Sequence, residues 1–245
     1  KEYMPQAKQA ALKALEIDPN LAEAHTSLAQ FIFYYEYDFA GAEKALKRAI
    51  ELDPNYGSAH QWYAELLTAS SRHDEAIREN SRALELDPFS LPFNVGMSEN
   101  LFLAGRFDEA LLQIKKFNEL FPNDTRFRAV NVSIYVAQGK YDQAVEERLL
   151  SAKATKDFKP ENVAKLKEAY EKGGWDGFGR MRQEIRLEEL NAKQAKDPNV
   201  YVKAMDFAEA YALGKDKDKA IEYLNKAYDE RHERMLDLTV EKTWD

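Results

Sequence analysis

At 245 residues and 28.2 kDa the chain is long enough for one large domain or two small ones, and with 44% hydrophobic and 32% charged residues it is not a disordered chain. A net charge of −8 and a pI near 5.3 repel phosphate backbones, which disfavours nucleic acid as a partner. With no cysteine, disulfides, thiolate zinc sites and cysteine nucleophiles are excluded.

Only 10 Gly and 8 Pro are present, and most Pro recur in one local context, so they punctuate helices. No stretch of about 18 apolar residues occurs, and no secretory signal pattern is found, so no membrane span is expected. The expected address is cytoplasmic. The chain begins Lys1-Glu2-Tyr3 without an initiator Met, as a piece of a longer protein would, and a preceding part with an anchor would make the address extracytoplasmic.

In chain order, residues 1–20 read as a partial repeat closing at Asp18-Pro19-Asn20. Residues 21–155 read as four regular repeats. Ser71-Arg72-His73-Asp74-Glu75-Ala76, Gly105-Arg106-Phe107-Asp108-Glu109-Ala110 and Gly139-Lys140-Tyr141-Asp142-Gln143-Ala144 are near-copies spaced by 34, with Ala42 another 34 upstream. Asp53-Pro54-Asn55, Asp87-Pro88-Phe89 and Phe121-Pro122-Asn123 run in step, while Pro19 precedes Pro54 by 35. Each period is predicted to be two helices. Pro ends the second helix, a following Asn or Ser can cap the next, and the Gly-basic-aromatic-Asp link joins the pair. Residues 156–199 form a long atypical repeat with eight extra residues, assigned to Gly173-Gly174-Trp175-Asp176-Gly177-Phe178-Gly179, where two helices turn tightly under Trp175 and Phe178. A final repeat, 200–230, comes after Asp197-Pro198-Asn199, and 231–245 is a tail.

This sequence resembles the tetratricopeptide family, whose 34-residue unit carries W-x2-L-G-x2-Y, then A-x3-F, then P. His60, Tyr63, Ala64 and Leu67 with Ala76, Ala83 and Pro88 fit the pattern, as do His25, Leu28, Ala29 and Ile32 with Ala42, Leu46, Ala49 and Pro54. Met97, Leu101, Ala110, Ile114 and Pro122 form a third copy; Val132, Tyr135 and Ala144 a fourth, without its Pro; Phe207, Ala208, Tyr211, Ala220, Leu224 and Ala227 the last. The resemblance implies an all-α fold, a right-handed superhelical solenoid of antiparallel helix pairs in a single array over 1–245, whose groove binds a peptide or helix of a partner protein. Phe33-Tyr34-Tyr35-Glu36-Tyr37-Asp38-Phe39, Glu168 to Trp175 and Tyr223 to Arg231 also look like the tetratricopeptide regions at the carboxyl end of bacterial multidomain regulators, linked to winged-helix, cyclase or kinase domains. That implies the regulatory part of a larger signalling or transcription protein.

Catalytic chemistry finds no footing. The four histidines form no i, i+4 pair and no H-E-x-x-H; His25 and His60 share one repeat position and read as interhelix packing. Adjacent carboxylates such as Glu146 and Glu147 point about 100° apart on a helix and cannot flank one bond. The glycine-rich segment is not a phosphate loop. No catalytic residue, metal site or cofactor is expected, and the chain is not read as an enzyme. The aromatic residues from Phe31 to Phe39 read mainly as packing, with some exposed at the end of a groove.

Residues 34 apart occupy the same place on successive first helices. The inner stripe so assigned is Gln30, Glu65, Glu99, Ser133 and Glu209, three of whose five members are carboxylates; a parallel stripe holds Phe33, Thr68, Phe102 and Val136 as apolar anchors. The expected partner is a basic or amphipathic protein segment. The family subtype that grips terminal carboxylates has Lys, Asn and Arg inside, whereas this chain has Thr26, Gln30, Gln61, Glu65 and Val95 there. Self-assembly into a homo-oligomer is the alternative.

Overall fold

The computed structural model describes residues 3–121, 125–154, 159–196, 202–230, 232 and 235. Pro122, Asn123, Asp197-Pro198-Asn199 and nearly all of the 231–245 tail lie outside the described residues. Among those described, the secondary structure is helical throughout, and two compact units divide near Val130.

The first unit contains α1 (Tyr3–Ile17), α2 (Ala22–Phe31), α3 (Phe39–Leu52), α4 (Gly57–Ala69), α5 (His73–Leu86), α6 (Leu91–Leu103) and α7 (Phe107–Leu120). Each helix packs on its successor, and α4 also touches α2 and α6, so the first helices of three hairpins lie side by side. Why each helix stops is visible in the links. Ser71 and Gly105 have φ of 58° and 75°, and the next amide reaches back to close the turn, Arg72 N to Leu67 O and Arg106 N to Leu101 O, both 2.8 Å. Arg72 and Arg106 then grip Glu75 and Glu109 through paired guanidinium bonds of 2.6–2.8 Å at the start of the next helix.

Between hairpins the Pro turn is held differently from the expectation. Asp18, Asp53 and Asp87 accept the amides of Asn20, Asn55 and Phe89 at 2.9, 2.9 and 3.2 Å, whereas Leu21, Tyr56 and Ser90, which start the next helices, make no side-chain cap bond. The aspartate before Pro folds the turn as an Asx motif, and the next helix begins without a side-chain cap. The Asn instead accepts from the second helix: Arg48 donates to Asn20 at 3.1 Å and Arg82 to Asn55 at 2.7 Å.

The 35-residue first spacing has a local cause. Ile32–Glu36 form a π-helical turn that ends in left-handed Tyr37 (φ 56°), and Asp38 N bonds to Ile32 O at 3.2 Å. A π turn absorbs one extra residue without ending the helix. Asp38 then caps α3 by accepting from Gly41 N at 2.9 Å.

Small residues mark the closest approaches. Ala42, Ala76 and Ala110, spaced by 34, are wholly buried, as are Ala49 and Ala83. Ala42 and Ala76 join Phe33, Leu46, Tyr63, Leu66 and Leu67 in one core. Beside it Glu43 accepts from Tyr63 at 2.8 Å and from Arg72 at 3.0 Å, and pairs with Lys47 at 2.8 Å. Lys47, then Tyr63 and Arg72, hold its carboxyl down at about 2 despite partial burial. Three consecutive helices are thereby tied at one point.

His25 and His60 do more than pack. His25 Nε2 lies 2.9 Å from the carbonyl of Pro19, and His60 Nε2 lies 3.1 Å from that of Pro54; Asn94 donates to Pro88 O at 3.0 Å at the same repeat position. The other ring nitrogen of His60 meets Glu79 at 2.7 Å, and one repeat later the pair becomes Gln113 donating to Asn94 at 2.8 Å. The chain itself therefore supplies a neutral counterpart. Glu79 raises the His60 pKa above 6.5 against the opposing effect of burial, helped by Pro54 O. A raised folded-state pKa gives stability that is complete below the unfolded value and is lost as pH rises through the folded one. The wild-type denaturant midpoint should fall between about pH 6 and about pH 9 by more than that of His60→Asn/Glu79→Gln. Parallel curves for the two proteins would show that the pair carries no linked proton.

The second unit contains most of α8 (Arg128–Ala137), then α9 (Tyr141–Lys153), α10 (Pro160–Lys196), α11 (Ala204–Leu213) and α12 (Lys217–Asp229). α10 is two arms joined at Gly174, whose φ of 57° and ψ of −150° break the helix. Only that residue forms the turn. The second arm, 175–196, outruns the 14-residue α3, α5 and α7 by about two turns. The extra length of this repeat is thus placed at the far end of its second helix, and not in the Gly173 to Gly179 segment. Gly177 allows the arms to meet, since a Cβ there would stand 2.4 Å from the Ala169 carbonyl. Trp175 and Phe178 do cover the joint: their rings stack at 5.6 Å, Tyr141 stacks on Trp175 at 5.6 Å, and Tyr170 meets Phe178 edge-on at 6.3 Å.

Candidate partner-binding face

The residues assigned to a groove divide between the two units. Gln30 on α2, Glu65 on α4 and Glu99 with Phe102 on α6 belong to the first, on first helices that touch in series. Ser133 on α8 and Glu209 on α11 belong to the second.

Gln30, Glu65 and Phe102 are half-buried and Glu99 is exposed, so a partner can reach all four. Glu65 accepts from the Tyr34 hydroxyl and, at 3.4 Å, from Gln61 Nε2, which fixes its carboxylate between α4 and the π turn that follows α2. Tyr34 also meets Trp62 edge-on at 5.9 Å. Phe102 lies 5.9 Å from the Phe107 ring. The face thus offers oriented carboxylate oxygens beside aromatic surface, chemistry suited to a cationic group carried on an apolar stem.

Phe33 is not an anchor on this face. Only 3% exposed, it packs against Tyr34 and Phe39 in the core, because the widened π turn rotates it away from the stripe that a regular helix would give. Thr68 is equally engaged: its hydroxyl lies 2.8 Å from the Ala64 carbonyl and against the Asn100 side chain, tying α4 to α6. Thr26, at an inner position by phase, is buried and donates to Ala22 O at 3.0 Å. Tyr34 and Trp62 stand at Glu65 although the 34-residue phase does not assign them to the face, whereas Gln61, also at Glu65, is an inner position by phase. Tyr34 comes one helical turn after Gln30, and that spacing could have found it. Of the aromatic segment, Phe31 and Phe33 are buried and Tyr34, Tyr35, Tyr37 and Phe39 half-buried, so most of it packs.

No group of three or more His, Asp or Glu with metal-binding geometry occurs among the described residues, and no helix among them is long and apolar enough to cross a membrane. The tetratricopeptide-repeat family model matches residues 33–93, which span α3, α4 and α5, and the 34-residue period carries the same hairpin on either side. Over residues 33–93 the chain is similar to the tetratricopeptide-repeat family. Among curated proteins no sequence matches it. Of solved structures, the Cut9–Hcn1 hetero-tetramer of the APC/C is similar at a TM-score of 0.56 and 16% identity over 99% of this chain, which spans 46% of that one. YrrB, a TPR protein with an unusual peptide-binding site, gives 0.48 and 19% over 95% of this chain and 97% of its own. Naa15/Naa10 bound to HypK-THB gives 0.47 and 16% over 95% and 35%. At that identity the likeness to the Cut9–Hcn1 structure shows a shared fold and nothing further.

Proposed function

We propose that this chain is a protein-interaction module that receives a basic or amphipathic segment of a partner on the α2, α4 and α6 face. The observation that carries the reading is the fixed Glu65 carboxylate beside Tyr34 and Gln61, with Glu99 exposed and Phe102 half-buried one hairpin on. Ser133 and Glu209 extend the same repeat position into the second unit by phase. The tyrosine-rich second repeat supports a further reading, in which the module is the regulatory part of a larger signalling or transcription protein. The full-length gene product tests that directly: a neighbouring winged-helix, cyclase or kinase domain is the expected finding.

The face is tested by changing Glu65 and Glu99 together to Lys and titrating a library of basic amphipathic helices. Binding to the wild type should weaken as salt rises, and the double variant should lose about tenfold or more in affinity for peptides the wild type selects. A folded double variant that binds the same peptides equally well would remove the assignment.

A further inference from the structure

The first helices of the first unit carry no cationic side chain. α2, the π turn Ile32–Glu36 that follows it, α4 and α6 contain neither Lys nor Arg. From α2 to α7 every Lys and Arg lies on a second helix or in a link, and the link arginines Arg72 and Arg106 hold Glu75 and Glu109. Of the other charged groups on the first helices, Glu36 pairs with Lys8 of α1 at 2.6 Å, and His60 pairs with Glu79 of α5 at 2.7 Å. His25 faces the Pro19 carbonyl. The remaining carboxylates are Glu23 and Glu99, both exposed, and Glu65, half-buried. The sign of this face is therefore fixed by which helices bear charge.

Two of those carboxylates share one repeat position. Glu65 and Glu99 are 34 residues apart on α4 and α6, which touch, and Gln30 holds the place on α2. The three helices are in step: Tyr34, four residues after Gln30, reaches Glu65, and Thr68, three after Glu65, reaches Asn100, one after Glu99. Helices in contact lie about 8–10 Å apart, axis to axis, so the two carboxylates stand about 10 Å apart and one cation cannot serve both. Glu23 is two turns from Gln30 along α2, off this line. An α-helix laid across the three rises about 10 Å in seven residues and returns to within about 20° of the same side. Four residues rise only about 6 Å, and eleven rise about 16 Å.

Resting on the reading of this face as a partner site, we propose that its occupant is a helix with cationic residues seven apart, one over Glu65 and one over Glu99. A neutral polar residue, seven further along, lies over Gln30. The charge match is one-sided, because no cation on these helices can receive an acidic residue of the partner. The rings of Tyr34 and Trp62 at Glu65, and of Phe102 one turn from Glu99, take the apolar stems of the cationic side chains. The period of the hairpins thus sets the period of the partner, and a basic helix with its charges in another register engages one carboxylate only.

The test titrates the full chain with three helical peptides of identical composition, each with two Arg on an otherwise neutral sequence, spaced i,i+4, i,i+7 or i,i+11. All three spacings keep both Arg on one side of the peptide, so net charge and amphipathicity are equal. The i,i+7 peptide should bind about fivefold tighter than either of the others, the worth of one added ion pair at a partly buried site. Glu99→Gln should bring the three to within about twofold of one another. Gln30→Glu should tighten a peptide with three Arg at steps of seven by about threefold or more, and leave the two-Arg i,i+7 peptide within about twofold. Equal affinities for the three spacings that are still lost in Glu65→Lys/Glu99→Lys would overturn this inference and leave the acidic face standing. Tightest binding of the i,i+4 or i,i+11 peptide, or a folded Gln30→Glu without gain for the three-Arg peptide, would overturn it too. No binding of any of the three at about 1 mM would remove the face assignment itself.

Discussion

Replacing Phe178 with alanine should destabilise the second unit by about 3–5 kcal/mol, the range for emptying a large buried aromatic site. Phe178 is fully buried and shares a core with Val145, Leu149, Leu166 and Ile185. It falls 34 residues after Ala144, so it occupies the small-residue position of the other repeats, and here the helices are held apart by a ring. That ring links α9 to both arms of α10 through Trp175, Tyr141 and Tyr170, and nothing adjacent can refill the space because Gly177 already lets the backbone touch. In a repeat fold stability is a sum over neighbours, so the loss should be local. Hydrogen exchange should quicken in 160–196 and in α9 while α4 and α5 keep their protection. An unchanged pattern would mean that the joint does not depend on this ring.

The hairpin architecture was legible because a fixed period leaves the same residue types at the same links, and Ser71, Gly105 and Gly139 all take the left-handed conformation that such a link requires. Departures from period were harder. The extra residue before Ala42 was visible as a count, but only the backbone shows that it widens a turn at Ile32–Glu36 and carries Phe33 inward. In the long repeat, four glycines suggested an inserted loop. Gly174 alone bends there, Gly177 serves a close approach, and the additional residues continue the second arm to Lys196, where no breaker precedes Pro198 to mark an end. The tie between His60 and Glu79 needed tertiary geometry, since the partners are 19 residues apart on different helices. The lack of Lys and Arg on α2, α4 and α6 was within reach of sequence, since it can be read off the chain once the first helices are assigned. On the face, register located Glu65 and Glu99 but could not say that Tyr34 and Gln61 would orient a carboxylate.

Substituting Ala76 with leucine should cost about 1–3 kcal/mol, for the opposite reason to Phe178: too much volume where helices already touch. Ala76 is wholly buried, and its amide bonds to Arg72 O at 3.0 Å, which sets it in the first turn of α5. Ala42 and Ala110 bond to Asp38 O and Arg106 O at 3.0 Å, so one geometry recurs at this position in successive hairpins. The core around Ala76 contains Ala29, Phe33, Ala42, Leu46, Ala64 and Leu67, all at most 3% exposed, leaving no surface into which three more carbons could turn. To admit leucine, α5 would have to move from α4, loosening the Arg72 to Glu43 contact at the hairpin's end. Arg78→Leu, two residues along the same helix on its exposed side, is the control and should change stability by no more than about 0.5 kcal/mol. Denaturant midpoints of the two variants decide the matter. Equal shifts would show that Ala76 is small by helix propensity alone, while a selective loss at Ala76 accompanied by faster exchange in α4 and α5 would place the constraint in the interface between them.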